Sequence, residues 1–167
     1  MPATVEICES NGAGETITHN ISNSNMGNAD SANLDPVANP VIPGNRTYVK
    51  YQRLHVTAMG GSSRIENIKV WRNGALGGSA THKTNARTSS YGGALAYATP
   101  VTSAVTGVDQ DMPTSAPGSA NLGIGGALNG GLTATGYSDY CAHQIVTNSG
   151  DTAGSTSTQN YQYDEIA

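Results

Sequence analysis

The sequence predicts an all-β protein: a two-sheet antiparallel sandwich of jelly-roll type with long loops rich in Gly, Ser and Asn. Helical periodicity is nearly absent, and short strand-like runs are separated by turn-forming residues. With 21 Gly, one Trp, no Phe and only 12% charged residues, the composition suits a β scaffold that presents a surface. The length of 167 residues fits one domain, covering residues 1–167.

The N-terminal part of the chain predicts two strands and a long loop. Residues 4–8 alternate in polarity and are followed by turn-forming residues, and residues 16–21 form a weaker second strand. Residues 22–44 are irregular and contain three breakers, Asp35-Pro36, Asn39-Pro40 and Pro43-Gly44. We therefore expect a long loop over residues 22–44.

The clearest pair of strands lies in the middle of the chain. Residues 47–56 are rich in Tyr and Val, and a second strand covers residues 65–71 after a break at two glycines. Alternation along the second strand predicts one face made of Glu66, Ile68 and Val70, and an opposite face made of Ile65, Asn67, Lys69 and Trp71. Asn73-Gly74 predicts a turn directly after it.

Small residues dominate much of the C-terminal half. We expect a second long loop over residues 74–94, then a strand over residues 94–101 that Pro100 restricts to a sheet edge. Residues 137–146 and 159–165 predict two further strands. The expected total is six to eight strands with no internal repeat.

Composition and charge exclude several classes of function. The net charge is −4 and the 8 Lys and Arg residues are scattered, so no basic stripe could follow a nucleic-acid backbone. No apolar run approaches the roughly 18 residues of a membrane-spanning helix, and the N-terminus lacks a signal-peptide pattern. We expect a protein made in a cytoplasm that binds neither nucleic acid nor membrane.

Bulky apolar side chains are scarce for a chain of this length. Burying one stabilises the fold by roughly 1.5–3 kcal/mol, whereas ordering each residue costs about 1–2 kcal/mol in backbone entropy. We expect the single chain to leave apolar and Tyr side chains uncovered, and to cover them against other chains.

Histidines and cysteines give weak metal-site signals. The four histidines have no zinc-ligand spacing, so structural or surface roles are favoured for them: His19, His55, His82 and His143. A zinc site made of Cys8, Cys141 and His143 would require their strands to adjoin. For the two cysteines, buried free thiols are favoured over a disulfide.

The sequence predicts no catalytic residue and no cofactor. Ser138-Asp139, Cys141 and His143 are close in sequence, but no oxyanion-hole or nucleophile-elbow motif accompanies them. Cys141 is therefore expected in the core. The Gly-rich residues 123–128 lack the glycine spacing, the Lys and the following helix of a phosphate-binding loop, and predict a flexible turn.

Two loops and a set of aromatic residues offer further candidate sites. Asp30 and Asp35, with Asn28 and Asn33, could supply oxygen ligands to Ca²⁺, and residues 109–111 form a weaker candidate; Asx-turns are favoured for both. A sugar-binding platform could be built from Trp71, Tyr91, Tyr97, Tyr137 and Tyr140, although a single Trp disfavours it.

Five runs occur in an order that resembles a loosely defined group of tailed-bacteriophage virion proteins, which are small β-sandwich proteins encoded among structural genes. The runs are residues 27–36, 51–56, 65–71, 137–140 and 161–165, and the similarity covers most of the chain. The resemblance implies a jelly-roll protein of the capsid surface, of the decoration or cement kind. Such proteins commonly act as trimers at junctions between capsomers.

The function expected from this resemblance is non-enzymatic. The chain would decorate or cement the capsid surface as a homotrimer that bridges subunits of the major capsid protein by surface burial. Its long loops, residues 22–44 and 74–94, would order on docking and span the seams between subunits. The alternatives are a tail, baseplate or head-fibre structural protein, or a carbohydrate-binding module of a host-recognition device.

Overall fold

The computed structural model describes residues 1–87, 93–152 and 154–167, and these residues form strands and irregular segments but no helix. None of them therefore belongs to a helix that is long and apolar enough to cross a membrane. The strands are β1 (Thr4–Asn11), β2 (Thr16–Thr18), β3 (Lys50–Ala58), β4 (Arg64–Asn73), β5 (Thr81–Thr84), β6 (Gln110–Asp111), β7 (Gly131–Leu132), β8 (Gly136–Tyr137), β9 (Cys141–Val146) and β10 (Thr158–Ile166).

The strands form two antiparallel sheets. The larger sheet has the order β2-β1-β3-β9-β5-β6, and β8 pairs with β3 beside β9. The smaller sheet has the order β10-β4-β7. The prediction of an all-β fold with two antiparallel sheets is confirmed, and the jelly-roll connectivity stays a prediction.

The main core lies between the two sheets. It is built from alternate residues of the long strands, including Leu54 and Val56 of β3, Ile68 and Val70 of β4, and Cys141 of β9. These side chains are fully or almost fully buried. The alternation of β3 thus sends its even-numbered residues toward the smaller sheet.

A second apolar cluster covers the opposite face of the larger sheet. Tyr51 and Tyr140 are buried there beneath the irregular segment 93–108, which contributes Leu95, Tyr97 and Val108. The ring of Tyr51 contacts those of Tyr97 and Tyr140 edge-on, with centroids 5.0 and 5.7 Å apart. The larger sheet is therefore buried on both faces over part of its area.

One strand prediction and one loop prediction are wrong. Residues 94–101 form no strand, and they pack instead as irregular chain in which the Val101 carbonyl accepts a hydrogen bond from the Val49 N–H at 3.0 Å. The predicted loop 74–94 contains β5, and its residues 88–92 lie outside the described chain. The missed strand has only four residues, too few for a clear alternation.

The predicted face of Ile65 is also wrong. Ile65 is fully buried together with Ile68 and Val70, although it is an odd number of residues from Ile68. The register between β4 and β10 shifts here, and Asn67 has a φ of 54°, so β4 contains a bulge. A bulge adds one residue to a strand and thereby reverses the side-chain parity beyond it.

The expectation of uncovered side chains is wrong for the described Tyr residues and holds for only a few apolar residues. Within the described chain, five large apolar side chains are exposed: Met1, Val37, Ile42, Val101 and Ile166. No described Tyr side chain falls in the exposed class. Polar side chains complete the interior, among them Glu9, Lys50, Gln52, His82 and His143.

Candidate functional site

One end of the sandwich consists of three loops that are hydrogen-bonded to one another, and we call it the loop end: residues 22–46, 74–80 and 147–157 without residue 153. The Thr147 N–H donates to the Asn45 carbonyl at 3.0 Å, and the Ser79 N–H donates to Asp151 Oδ1 at 2.7 Å. Backbone N–H groups of Asn148 and Ser79 hold the pKa of the Asp151 carboxyl below its ordinary value. The three loops therefore form one connected surface.

The longest of these loops is already packed in the single chain. Asn25 Nδ2 donates to the Leu34 carbonyl at 3.0 Å, and the Leu34 side chain is buried. A Cβ atom on Gly27 would lie 2.2 Å from the Asn39 carbonyl oxygen, so the chain passes there too closely for any side chain. This loop does not need a partner to order it.

Two apolar side chains project from this packed loop. Val37 is 88% exposed and Ile42 is 50% exposed. The Val37 N–H donates to Asp35 Oδ1 at 2.8 Å, which fixes the turn that presents the Val37 side chain. An exposed aliphatic group on a hydrogen-bonded turn is suited to contact another surface.

A cavity of about 520 Å³ lies beneath the loop end. Its lining combines loop residues with Ile145, Gln159 and two interior histidines, His82 and His143. Both histidines are buried. The cavity thus connects the loop end with the polar part of the interior.

The hydrogen bonds of this interior fix the protonation of both histidines. Gln52 Nε2 donates to Glu9 Oε2 at 2.9 Å and to Ser24 Oγ at 2.7 Å, so Gln52 Oε1 accepts. His143 Nε2 donates to that oxygen at 3.0 Å, and His143 Nδ1 accepts from His82 Nε2 at 2.8 Å. His82 Nδ1 is then a buried acceptor without a hydrogen-bond partner among the described residues.

Burial keeps both imidazoles neutral. It lowers the pKa of His82 to about 3, with a further contribution from the positive charge of Arg72. Burial also lowers the pKa of His143 well below its ordinary value, and the neighbouring His82 and Lys50 act in the same direction. The charged form of either ring is therefore disfavoured in the folded chain.

A second group of chemically active side chains lies on the outer face of the larger sheet, beyond the area covered by segment 93–108. It consists of Glu6, Cys8, His19 and His55, and one ligand atom from each lies within 4.8 Å of all the others. Glu6 and Cys8 are alternate residues of β1, and His55 of β3 is the register partner of Glu6. His19 directly follows β2, which pairs with β1.

This cluster is held by hydrogen bonds to one carboxylate. The Nδ1 atoms of His19 and His55 each lie 2.7 Å from Glu6 Oε1, and Cys8 Sγ lies 3.4 Å from the same oxygen. The hydrogen bonds from His55 and His19 lower the pKa of Glu6 to about 2. Burial, followed by the contact with Glu6, raises the pKa of the Cys8 thiol to about 11.

The zinc site considered from sequence is wrong, because its residues point to different sides of the sheet. Cys141 and His143 face the smaller sheet, whereas Cys8 faces outward beside His19 at 3.3 Å. Both cysteines are free and buried, as the sequence favoured. Of the four histidines, the fold pairs His19 with His55 and His82 with His143.

The residues considered as a nucleophilic site have structural roles. Cys141 is fully buried in the main core, as predicted, and burial raises the pKa of its thiol to about 11. Ser138 Oγ accepts from the Leu54 N–H at 3.0 Å and donates to the Asp139 carbonyl at 2.8 Å. The Gly-rich segment forms a turn in which the Gly126 N–H donates to the Asp139 carboxylate.

The acidic loop residues are occupied by protein donors. Asp30 accepts from Asn11 Nδ2 at 2.7 Å and from the Gly12 N–H at 2.8 Å. Asp35 accepts from backbone N–H groups in the Asx-turn that the sequence favoured. Asp109 and Asp111 pair with Arg87 and Lys83 respectively.

The aromatic residues do not form one platform. Trp71 lies on β4 of the smaller sheet, while Tyr97 and Tyr140 pack against Tyr51 on the outer face of the larger sheet. Tyr137 stacks on His55 with ring centroids 4.0 Å apart. Tyr91 lies outside the described residues.

Sequence reasoning missed the cluster of Glu6, Cys8, His19 and His55 because its members come from three chain segments. The alternation of Glu6 and Cys8 on a predicted strand was a usable signal, since alternate residues share a face. The addition of His55 required the register between β1 and β3, which strand patterns do not specify.

Fold and side-chain arrangement together define the chain as an all-β protein of two antiparallel sheets. Comparison with family models gave no match, and comparisons with curated proteins and with solved structures gave none either.

Proposed function

We propose that this chain is a non-enzymatic structural protein of a tailed-phage virion that attaches to the capsid surface through its loop end. The proposal combines the sequence resemblance with one structural observation: a packed loop presents Val37 at 88% exposure and, five residues later, Ile42 at 50%. These are the most exposed large apolar side chains of the described chain after the N-terminal Met1.

The energetics of such a contact are modest for one copy. Covering one aliphatic side chain of this size contributes roughly 1.5–3 kcal/mol. Because the loop is already hydrogen-bonded in the free chain, little conformational entropy is lost when it docks. A small contact area can therefore give useful affinity.

Many copies would turn weak contacts into a stable coat. In the proposed arrangement, three copies meet at a junction between capsomers, and each loop end contacts the major capsid protein. Linking several contacts raises the effective affinity without any new contact, provided that all sites can be engaged together. Bridging neighbouring subunits in this way would reinforce the shell.

Binding to purified shells of the phage that carries the gene tests this proposal. We expect saturable co-sedimentation with a copy number that matches the shell symmetry. We expect Val37→Asp to weaken binding at least about tenfold, because a charge replaces an apolar contact of more than about 1.4 kcal/mol. Circular dichroism should show that the variant keeps its fold.

Ile166→Asp is the matched control. Ile166 is also an exposed aliphatic residue, at 43%, but it lies at the far end of β10, roughly 26 Å from the start of that strand at the loop end. We expect the control to bind like the original chain. Equal binding by both variants would contradict the role of the loop end, and binding to tails but not to shells would favour the tail, baseplate or head-fibre alternative.

A further inference from the structure

We propose that Glu6, Cys8, His19 and His55 form a zinc-binding site that fastens the segment after β2 to the outer face of the larger sheet. Each of the four residue types is a common zinc ligand, and here one atom of each converges within 4.8 Å of the others. The site involves neither the loop contacts of the proposed function nor the interior histidines.

The backbone explains why these four side chains meet. Glu6 and Cys8 leave β1 on the same side, and the register of β1 with β3 places His55 opposite Glu6. Beyond β2 the chain remains bound to β1, because the Ile21 N–H donates to the Ile7 carbonyl at 3.0 Å. This contact keeps His19 next to Cys8.

The distances are close to those of a tetrahedral zinc site. Bonds of ~2.0–2.1 Å to nitrogen and oxygen and ~2.3 Å to sulphur place ligand atoms roughly 3.3–3.6 Å apart. Cys8 Sγ lies 3.3 Å from His19 Nδ1 and 3.4 Å from Glu6 Oε1. The two Nδ1–Oε1 distances of 2.7 Å would widen by about 0.6 Å, and His19 has the freedom to move because half of its side chain is exposed.

Three donors now converge on a single oxygen atom. The two Nδ1 atoms and the thiol all reach Glu6 Oε1, while His19 Nδ1 also contacts the Cys8 sulphur. A Zn²⁺ ion at the centre would displace the protons from these contacts and satisfy all four groups at once. The released protons make the affinity fall at low pH.

Groups that contact the candidate ligands support the same geometry. Tyr137 stacks on the His55 ring at 4.0 Å with an interplanar angle of 10°, which holds that ring in place. The Asn20 backbone also hydrogen-bonds the Cys8 thiol. Groups that orient metal ligands in this way commonly change metal affinity 10–100-fold when they are removed.

The donor set selects the metal and its role. One thiolate, two imidazoles and one carboxylate suit Zn²⁺, whereas Ca²⁺ and Mg²⁺ prefer oxygen ligands alone. Four protein ligands close the tetrahedron, as in structural zinc sites. Because His19 lies between β2 and the loop that begins at residue 22, the ion would tie the start of this loop to the sheet.

Titration of the reduced, metal-free chain with Co²⁺ tests the site. We expect one equivalent to bind, with the intense visible bands of tetrahedral Co²⁺ and a thiolate-to-cobalt charge-transfer band in the near ultraviolet. Zn²⁺ should abolish both signals by displacing Co²⁺ and should raise the melting temperature.

Cys8→Ser should remove the charge-transfer band. It should weaken Zn²⁺ binding more than the roughly 10–100-fold that is typical when a group that only orients a ligand is removed. Cys141→Ala is the matched control, since Cys141 is buried on the opposite face of the sheet, and it should keep the band. If Cys8→Ser does not fold, His19→Ala replaces an exposed ligand and should weaken binding to a similar extent.

Three results would overturn the proposal. They are the absence of stoichiometric binding, an octahedral Co²⁺ spectrum without a thiolate band, and a charge-transfer band that survives in Cys8→Ser but is lost in Cys141→Ala.

Discussion

His82 and His143 share a polar pocket in the interior and are kept neutral there by burial. Their hydrogen bonds connect them through Gln52 to Glu9, which in turn pairs with Lys50 at 2.6 Å. The buried Glu9–Lys50 pair is satisfied by protein donors and acceptors, which offsets part of its desolvation cost. Single residues in this chain thus stabilise the fold through a connected polar network.

The neutral histidines predict that stability falls in mild acid. The unfolded imidazole binds a proton near pH 6.5, whereas folded His82 resists protonation until about pH 3. Stability is therefore fully present above about pH 6.5 and is lost as the pH falls. Between about pH 7.5 and pH 5, the free energy of unfolding should decrease by about 2 kcal/mol because of His82, and His143 acts in the same direction. Chemical denaturation in the presence of EDTA measures this change.

His82→Gln isolates one histidine, because the Gln amide can still donate to His143 Nδ1. The free energy of unfolding is measured at both pH values for each protein, and only the difference between the two values is compared. A loss of stability that is the same at both pH values then cancels. We expect the decrease in the free energy of unfolding between about pH 7.5 and pH 5 to be about 2 kcal/mol smaller in the variant than in the original chain. An undiminished change would show that other groups control the acid response.

The role of a residue could be predicted from sequence only where that role does not depend on which other segments pack against it. The burial of Cys141 was expected because no catalytic motif accompanies it, and the Asx-turn at Asp35 followed from its residue type. The outward orientation of Cys8 did not follow, because the orientation of a strand residue depends on which sheet face its partners cover.

At the scale of single elements, β4 carries the most informative irregularity. Its bulge allows Ile65 and Ile68 to be buried together, and Asn67 takes the left-handed conformation that makes this possible. The side chain of Asn67 also donates to Asp164 Oδ2 on β10 at 2.8 Å. Asn67 therefore determines which face of β4 its side chains occupy beyond the bulge, and it also contacts the neighbouring strand β10.

Substitution of Asn67 should separate backbone from side-chain effects. Asn67→Val should lower the free energy of unfolding by at least roughly 1–2 kcal/mol, because a β-branched residue is disfavoured in the left-handed region. Asn67→Gly loses the same hydrogen bond but accepts the conformation, so its loss should stay within about 1 kcal/mol. Equal losses in the two variants, measured by urea denaturation, would argue against backbone strain.

Strands could be predicted where they are long and where apolar and polar residues alternate clearly along them. The predicted runs 47–56, 65–71 and 159–165 correspond to β3, β4 and β10 with small shifts at their ends. The strands β6 and β7 have two residues each, so they carry no period that a pattern could reveal. Residues 94–101 resemble a strand because their apolar side chains cover the larger sheet, yet they join no ladder.

For the whole molecule, the two sheets and the segment 93–108 close the interior within one chain. The main core lies between the sheets, and the second cluster covers the outer face around Tyr51. The scarcity of bulky apolar residues predicted an incomplete interior. The interior is complete because buried Gln, His and Lys side chains fill space that apolar side chains would otherwise occupy. Hydrogen bonding makes such polar filling possible.

A closed interior predicts that the single chain is stable without partners. The melting temperature of the isolated protein should stay constant between roughly 1 and 100 µM, since no association is needed for folding. Differential scanning fluorimetry across this range measures the effect, and a melting temperature that rises with concentration would instead indicate that assembly and folding are linked.

The position of β10 at the border of the smaller sheet has a consequence for handling the protein. Only β4 pairs with this nine-residue strand within the described chain, so one side of its backbone is open to strand addition by another molecule. Asp164 and Glu165 place negative charge near its C-terminal end, which opposes such stacking at neutral pH. Concentrated stocks should therefore be kept well above the titration range of carboxylates, where charge repulsion limits fibre-like self-assembly.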